Sequence, residues 1–469
     1  AEWGLANAHV ESWGPFGRGW SYEQAAVRIV GPVSAPLTAV PKAWTPGTQG
    51  AVRGPAQKVK IEKEADLEPL AGKLAGRILL VSEPREIKDF DKPLVDRYTP
   101  QELEALALYG PDTRRREGPP DRESSLKRFR LQKRLRAFFK EEGVLATLEA
   151  SDRERGIVRV GGGGSREAGE DPGVPALVVA AEQYNRLARL LDSSAPVEVE
   201  VDVRARFHDE DLMGQNTIAE IPGTDRRGEV VMLGAHLDSW HAGTGATDNA
   251  AGVSVTMEAM RILQSLGVKP RRTIRIALWT GEEQGLLGSR AYVSQHFASR
   301  PEPEGEEKEL PSFLRRSQGP LTVKPEHARL SAYFNIDNGT GKVRGIYTQQ
   351  NVAAVPIFQA WLGPFADLGA TTITNRDTSS TDHVPFDRAG LPGFQFIQDD
   401  TEYSTVTHHT NIDVYDRLQK EDLKQASVIL ASFAYHAAMR DAMLPRKPLP
   451  KDPPPGPSPS PSASPSAHQ

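Results

Sequence analysis

EVVMLGAHLDSWHAGTGATDNAAGVSVTMEAMRILQSLG, residues 229–267, decides the fold. EVVMLGAH reads as a buried strand that stops at His236, a Gly-rich turn carries Asp248, and NAAGVSVTMEAMRILQSLG reads as a long helix. The same grammar repeats downstream. RRTIRIALWT (271–280) is a strand, QGLLGSRAYVSQHF (284–297) a helix, RLSAYFNID (329–337) and LPGFQFIQD (391–399) strands, and KEDLKQASVILASFAYHAAMR (420–440) a closing helix. Strands alternating with helices over about 203–445 predict an α/β layer fold with a largely parallel sheet. In such sheets a ligand crevice lies beyond the carboxyl ends of the strands, where His236, Glu282, Glu283 and Asp337 all fall.

Five short segments put metal-binding side chains at those ends: GAHLDSW (His236, Asp238), GATDNAAG (Asp248), LWTGEEQGLLGS (Glu282, Glu283), YFNIDNGTG (Asp337) and THHTNID (His408, His409). A metal-bound imidazole needs its other ring nitrogen anchored, so His236 is expected as a ligand with Asp238 orienting it. Asp248 stands where a helix N-cap is usual, yet opposite His236 its two oxygens can each bind one cation. Of the adjacent glutamates, one can coordinate while the other stays free to take a proton from water. Asp337 can close one coordination sphere and the His408–His409 pair the other. Consecutive side chains diverge, so that pair is expected to be one ligand and one neighbour.

Composition narrows the chemistry. At 469 residues the chain is long enough for two domains, and its formal charge of −5 gives no electrostatic case for nucleic acid or an anionic membrane. With 0 cysteines, any metal must be held by His and carboxylates. No apolar stretch approaches the roughly 20 residues of a membrane span. The chain begins AEWGLANAHVESW, without an initiator Met or a basic-then-apolar leader, and a secreted or periplasmic protein is expected.

Before about residue 200, short β-like runs alternate with Gly and Pro. Between them lies PDTRRREGPPDRESSLKRFRLQKRLRAFFKEEG (111–143), where Leu126, Phe129, Leu135 and Phe139 recur at helical spacing. Its cations are flanked by Glu117, Asp121, Glu123, Glu141 and Glu142, which favours a solvated helix face over a nucleic-acid site. Gly161–Ser165 (GGGGS) lacks the Gly-Lys-Ser/Thr ending of a phosphate loop and predicts a Gly-rich loop. Residues 301–319 look like an exposed insertion, and the Pro/Ser-rich end predicts a disordered tail.

Together these segments resemble the M28 family of di-zinc metallopeptidases, most closely its carboxypeptidase Q-like branch, across about 203–445. More loosely, VPALVVAAEQYNRLARLL (174–191) resembles the end of a protease-associated (PA) domain. The resemblance implies a three-layer α/β/α sandwich with a mixed, largely parallel sheet of the zinc exopeptidase (phosphorylase/hydrolase-like) kind, plus an inserted β-rich PA domain. The expected divisions are 1–35 (first part of the catalytic domain), 36–200 (PA-like insertion), 201–446 (catalytic domain) and 447–469 (tail). It implies two Zn2+, one on His236 and Asp337, the other on Glu283 and His409, with Asp248 bridging. Glu282 matches the general base, Asp238 the residue behind the ligand His, and Asp248–Asn249 a cis peptide. Many members carry Tyr where this chain has His408, so His408 or Tyr403 is left to stabilise the oxyanion. Asp382 and His383, in RDTSSTDHVPF (376–386), resemble a loop lining the substrate site.

The activity implied is hydrolysis of dipeptides or short peptides from one end. A carboxypeptidase or dipeptidase needs a cation for the substrate carboxylate, with Arg344 and Arg376 as candidates; an aminopeptidase acting on free N-termini is the alternative. Single-zinc glutaminyl cyclases and non-catalytic, receptor-like homologues fit less well, because no ligand is missing. Expected partners are a peptide or dipeptide substrate and, as an option left open, a second copy in a homodimer. Nucleic acid and a membrane span are not among them.

Overall fold

The computed structural model describes residues 2–87, 93–108, 122–194, 196–308, 310, 314–315 and 319–451. Its centre is strand Arg226–His236, whose residues from Val231 onward are all buried, as expected of a strand covered on both faces. This strand pairs in parallel with Arg272–Trp279 on one side and Leu330–Asn335 on the other. The full sheet has eight strands, in the order 6–13, 214–221, 272–279, 226–236, 330–335, 393–398, 343–347, 372–374. Four of its pairings are parallel and three antiparallel.

Helices Ala251–Ser265 and Lys420–Met439 cover one face, while Leu287–His296 and His383–Arg388 cover the other. The result is a three-layer α/β/α sandwich. Register sets up the site: His236 lies opposite Trp279 and Gly234 opposite Asn335. The turn after Trp279 and the residues just past Asn335 therefore emerge at one edge. Phe334 is fully buried, its ring centroid 5.7 Å from that of Phe433 and 5.8 Å from Phe394. Phe334→Ala is expected to lower unfolding free energy by about 3–5 kcal/mol in urea titration; a loss under about 1 kcal/mol contradicts this packing.

A second eight-stranded sheet runs 35–37, 19–31, 198–208, 52–58, 78–80, 146–150, 176–179, 39–41. Helix Ala181–Asp192 packs on one of its cores and helix Arg122–Glu141 on another. The sheets do not divide at 35/36 and 200/201. Gly19–Gly31 pairs antiparallel with Glu198–His208 along nearly its whole length, so both strands belong to this second sheet. The shorter segment Ala6–Trp13 alone reaches back to edge the first one.

On helix Arg122–Glu141 the cations meet acids: Lys127 with Glu123, Lys133 with Glu170, and Lys140 with Asp171. Gly163 and Gly164 donate to the Ala43 carbonyl, and a Cβ on Gly164 would lie 1.5 Å from the Trp44 carbonyl oxygen. This close approach requires glycine at 164. Of the segment 301–319, expected to be exposed, Leu310 and Leu314 are buried, and Arg122 donates to the Leu314 carbonyl at 2.9 Å. Past residue 446, Lys447 pairs with Asp387 at 2.5 Å. Most of the expected tail, 452–469, lies outside the described residues.

The edge strand is pinned by a histidine. His296 Nε2 lies 2.7 Å from a Glu11 oxygen and Nδ1 3.3 Å from Glu326. The Glu11 hydrogen bond, outweighing burial, raises its pKa above the ordinary value. A raised imidazole stabilises the fold fully below its unfolded pKa, about 6.5, and the contribution disappears as pH rises through the folded value. His296→Gln should therefore lower the melting temperature more at pH 5.5 than at pH 9; an equal loss at both removes the charge from the account.

Candidate metal centre

His236, the last residue of its strand, is 1% exposed. Its Nδ1 lies 2.9 Å from the main-chain carbonyl of Asp238, an atom that can only accept. Nδ1 therefore carries a proton, which leaves Nε2 as the ligand atom. Nε2 lies 3.2 Å from Asp337 Oδ1 and 3.3 Å from Asp248 Oδ1. The other oxygen of Asp248 faces a second group: Oδ2 is 3.3 Å from His409 Nε2, which is 2.9 Å from Glu283 Oε2. One carboxylate thus spans two clusters. Donor atoms of His236, Asp248 and Asp337 lie within 4.8 Å of one another, as do those of Asp248, His408 and His409, so each trio could hold a metal ion.

Asp238 orients His236 by a different atom than expected. Its carboxylate is 3.7 Å from Nδ1 and instead accepts the main-chain N–H groups of Glu282 (3.2 Å) and Glu283 (3.3 Å). One residue thereby fixes both the imidazole and the turn carrying the glutamates. His408 and His409 do not diverge. His409 adopts φ +62°, in the left-handed region, and the two rings sit 3.8 Å apart. His408 Nε2 is 3.9 Å from Asp248 Oδ2, so both rings turn toward the same carboxylate. The Asp248–Asn249 peptide is cis.

Electrostatics agree with a pocket built for positive charge. Burial lowers the His236 pKa, but Asp337, Glu282, Asp238 and Asp248 together lift it well above the ordinary value. Burial, joined by Asp337, Asp382 and Glu283, pushes the Glu282 carboxyl well up. Burial likewise takes Glu283 to about 7. Asp248, despite burial, is held down at about 2 by His236, His409 and His408. Burial and His409 push His408 down to about 4, which makes it a neutral imidazole at pH 7. Asp248 Oδ2 and Glu283 Oε1 are buried without a hydrogen-bond donor. Buried carboxylate oxygens rarely go unpaired, and cations placed among these donors would satisfy both. The His/carboxylate donor set fits zinc.

Asp413, in the THHTNID segment, gave no signal of its own in the sequence. It accepts the N–H groups of Thr247 at 2.6 Å and Asp248 at 3.1 Å, and so clamps the loop that carries the shared carboxylate. The Tyr403 ring lies 4.9 Å from that of His408, tilted by 38°, and burial together with Asp248, Asp337, Glu283 and Glu282 raises its hydroxyl pKa well up. The hydroxyl therefore lies within the field of the clustered carboxylates.

The expected substrate loop is arranged differently. Asp382 is fully buried and accepts from Ser289 Oγ at 2.5 Å, while His383 is buried behind the loop against Thr378 and Gln349. Ser379 and Ser380 line the adjoining cavity instead. That cavity, about 590 Å³, is bounded also by Asp96, Asn338, Arg376, Tyr403 and His408. Of the two candidate arginines, Arg376 lines it while donating to the Ala105 carbonyl at 3.0 Å, and Arg344 pairs with Asp399 at 2.8 Å.

Residues 216–434 match the model of peptidase family M28. Carboxypeptidase Q from Rattus norvegicus is 27% identical over 275 residues, 59% of this chain and 52% of that protein. The chain thus spans about half the length of the curated relatives it matches. Aminopeptidase YwaD from Bacillus subtilis is 29% identical over 222 residues, 47% of this chain and 44% of that one. Among solved structures, a peptidase M28 precursor from Shewanella amazonensis superposes with a TM-score of 0.64 at 22% identity, covering 96% of this chain and 88% of its own. The zinc aminopeptidase BSAP from Bacillus subtilis does so at 0.56 and 18%, covering 94% and 86%. Both share the fold. Among the described residues no helix is long and apolar enough to cross a membrane.

Proposed function

We propose, from the match of residues 216–434 to the model of peptidase family M28, a zinc-dependent exopeptidase that hydrolyses dipeptides or short peptides. One observation carries it: the two oxygens of Asp248 each face a separate His–carboxylate pair, at 3.3 Å on both sides. His236 and Asp337 would hold one zinc and Glu283 and His409 a second, with the Asp248 carboxylate available to both. Zinc bound there supplies Lewis acidity and brings the pKa of a water from 15.7 to about 7.

Glu282 accepts the proton of the attacking water. Its buried position, which favours the protonated carboxyl, suits it to hold that proton. As the peptide C–N bond breaks, Glu282 returns the proton to the leaving amine. Asp238 keeps Glu282 in place through the turn's N–H groups, and Tyr403 or His408 donates toward the carbonyl oxygen. The second sheet is proposed as a PA-like module, and the protein as secreted or periplasmic.

Asp413→Ala is expected to weaken zinc affinity about 10–100-fold, in line with the loss of other groups that orient ligands. Competition with a chromogenic chelator measures it; unchanged affinity would release Asp413 from this role.

Arg376 in the cavity favours recognition of a free substrate carboxylate, as in a carboxypeptidase or dipeptidase. Asp96, Asp377 and Asp400 in the same wall favour the second reading, an aminopeptidase that receives a free amine. Zinc-loaded protein is to be assayed on free, amino-blocked and carboxyl-blocked dipeptides. Cleavage that survives the amino block supports the first reading, and cleavage that survives the carboxyl block the second. No cleavage of any of them rejects the exopeptidase function.

A further inference from the structure

Four of the chain's seven tryptophans, Trp13, Trp20, Trp44 and Trp240, line one cavity of about 610 Å³. They come from separate parts of the fold. Trp13 ends the edge strand of the first sheet, Trp20 opens the long strand of the second, Trp44 follows it, and Trp240 lies on the loop after His236. Three of the indole N–H groups point into protein: Trp13 to Thr280 Oγ1 at 3.2 Å, Trp20 to the Thr45 carbonyl at 2.8 Å, and Trp44 to the Arg18 carbonyl at 3.0 Å. Their polar atoms are thus used up, and ring carbon is left for the cavity.

The rim that water reaches carries three large apolar residues beside Gln215 and Ser239. Val10, Met213 and Leu237 are 58%, 45% and 51% exposed, and all three line the same space. Single exposed apolar residues are ordinary, but a contiguous set around a concavity marks a binding site. The one carboxylate in the wall, Asp238, is occupied by the Glu282 and Glu283 N–H groups. His241 is kept neutral at pH 7 by burial and bonds the Pro41 carbonyl. Such a wall selects a neutral, apolar ligand.

The cavity backs onto the reacting groups. Thr280, Gly281 and Gln284 flank the paired glutamates and line it, and the Trp240 ring lies 6.1 Å from that of His409. We propose that this cavity, lined by residues that flank Glu282 and Glu283 and sharing no lining residue with the Arg376 cavity, is a specificity subsite for a bulky apolar side chain of the peptide substrate. It rests on the peptidase reading. Large aromatic side chains gain most from aromatic walls, through area and edge-to-face contact.

Gln215 is exposed on strand Gly214–Ile221 and lines the cavity, and the Thr280 hydroxyl bonds only its main-chain oxygen. Gln215→Trp should fill the space without disturbing the fold. Wild-type protein is expected to prefer Phe- and Leu-containing dipeptides over Ala- and Gly-containing ones by about 10–100-fold in kcat/KM. In Gln215→Trp that preference should fall at least about tenfold, chiefly through KM, with Ala substrates within about twofold of wild type. Independently of activity, N-acetyl-phenylalaninamide should shift the tryptophan emission of metal-free wild type saturably, and that of the variant not at all.

Peptide cleavage by wild type with no size preference overturns the subsite and leaves the peptidase reading standing. Absence of all peptide cleavage overturns both. Equal losses for Ala and Phe substrates in the variant overturn the subsite, as would a change of oligomeric state with unaltered preferences, which would make the aromatic wall an interface.

Discussion

Glu282→Gln is expected to retain wild-type zinc content while turnover falls by about 10²–10⁴-fold, the usual range for a positioned acid–base group. Gln keeps the shape of Glu and leaves the main-chain N–H on Asp238 Oδ1, so the turn and its neighbour Glu283 should stay where they are. What disappears is a carboxylate able to take a proton from water and hand it to the amine. The loss should lie in kcat, because the proton moves in the transition state and not on binding. Metal analysis beside steady-state kinetics makes the test. Near-normal turnover would take Glu282 out of the mechanism, and lost zinc would recast it as a ligand.

Replacing Asp248 should do more. Asp248→Asn removes the one carboxylate that faces both His–carboxylate clusters. Its amide can present an acceptor to one cation but turns a donor toward the other. Zinc stoichiometry is expected to fall from about two per chain to one or none, and kcat/KM to drop at least about a thousandfold, some 4 kcal/mol of transition-state stabilisation. Full stoichiometry in this variant would mean that the two clusters do not share a bridge. The same metal analysis on wild type separates an enzyme from a receptor-like homologue, which would bind none.

Much of this was legible before the structure because the informative residues are local. His236, Asp248, the Glu282–Glu283 pair and Asp337 each follow an apolar run or a Gly-rich turn, and strand register gathers such positions at one edge. What escaped reading depends on atoms that spacing cannot orient. Asp238 was read as a side-chain partner of His236, but the contact is made by its carbonyl, leaving the carboxylate to the glutamate turn. His408 and His409 were expected to point apart, and a single left-handed φ brings them together. Asp413 carries no sequence signal of its own, because what marks it is its hold on Thr247 and Asp248, over 160 residues earlier. The tryptophan cavity is hidden in the sequence for the same reason, since Trp13, Trp20 and Trp44 share it with Trp240, which stands far along the chain from all three.

The edge strand Ala6–Trp13 is hydrogen-bonded to Gly214–Ile221, although the chain between them forms the other sheet. During synthesis, then, this strand must wait for partners made some two hundred residues later. The intervening β-rich body can close meanwhile, because Gly19–Gly31 already has Glu198–His208 within reach. Such long-range closure is slow and exposes unpaired backbone while it lasts. Deleting residues 2–13 should therefore leave the β-rich body able to form, yet strand the first sheet with an open, sticky margin at Gly214–Ile221.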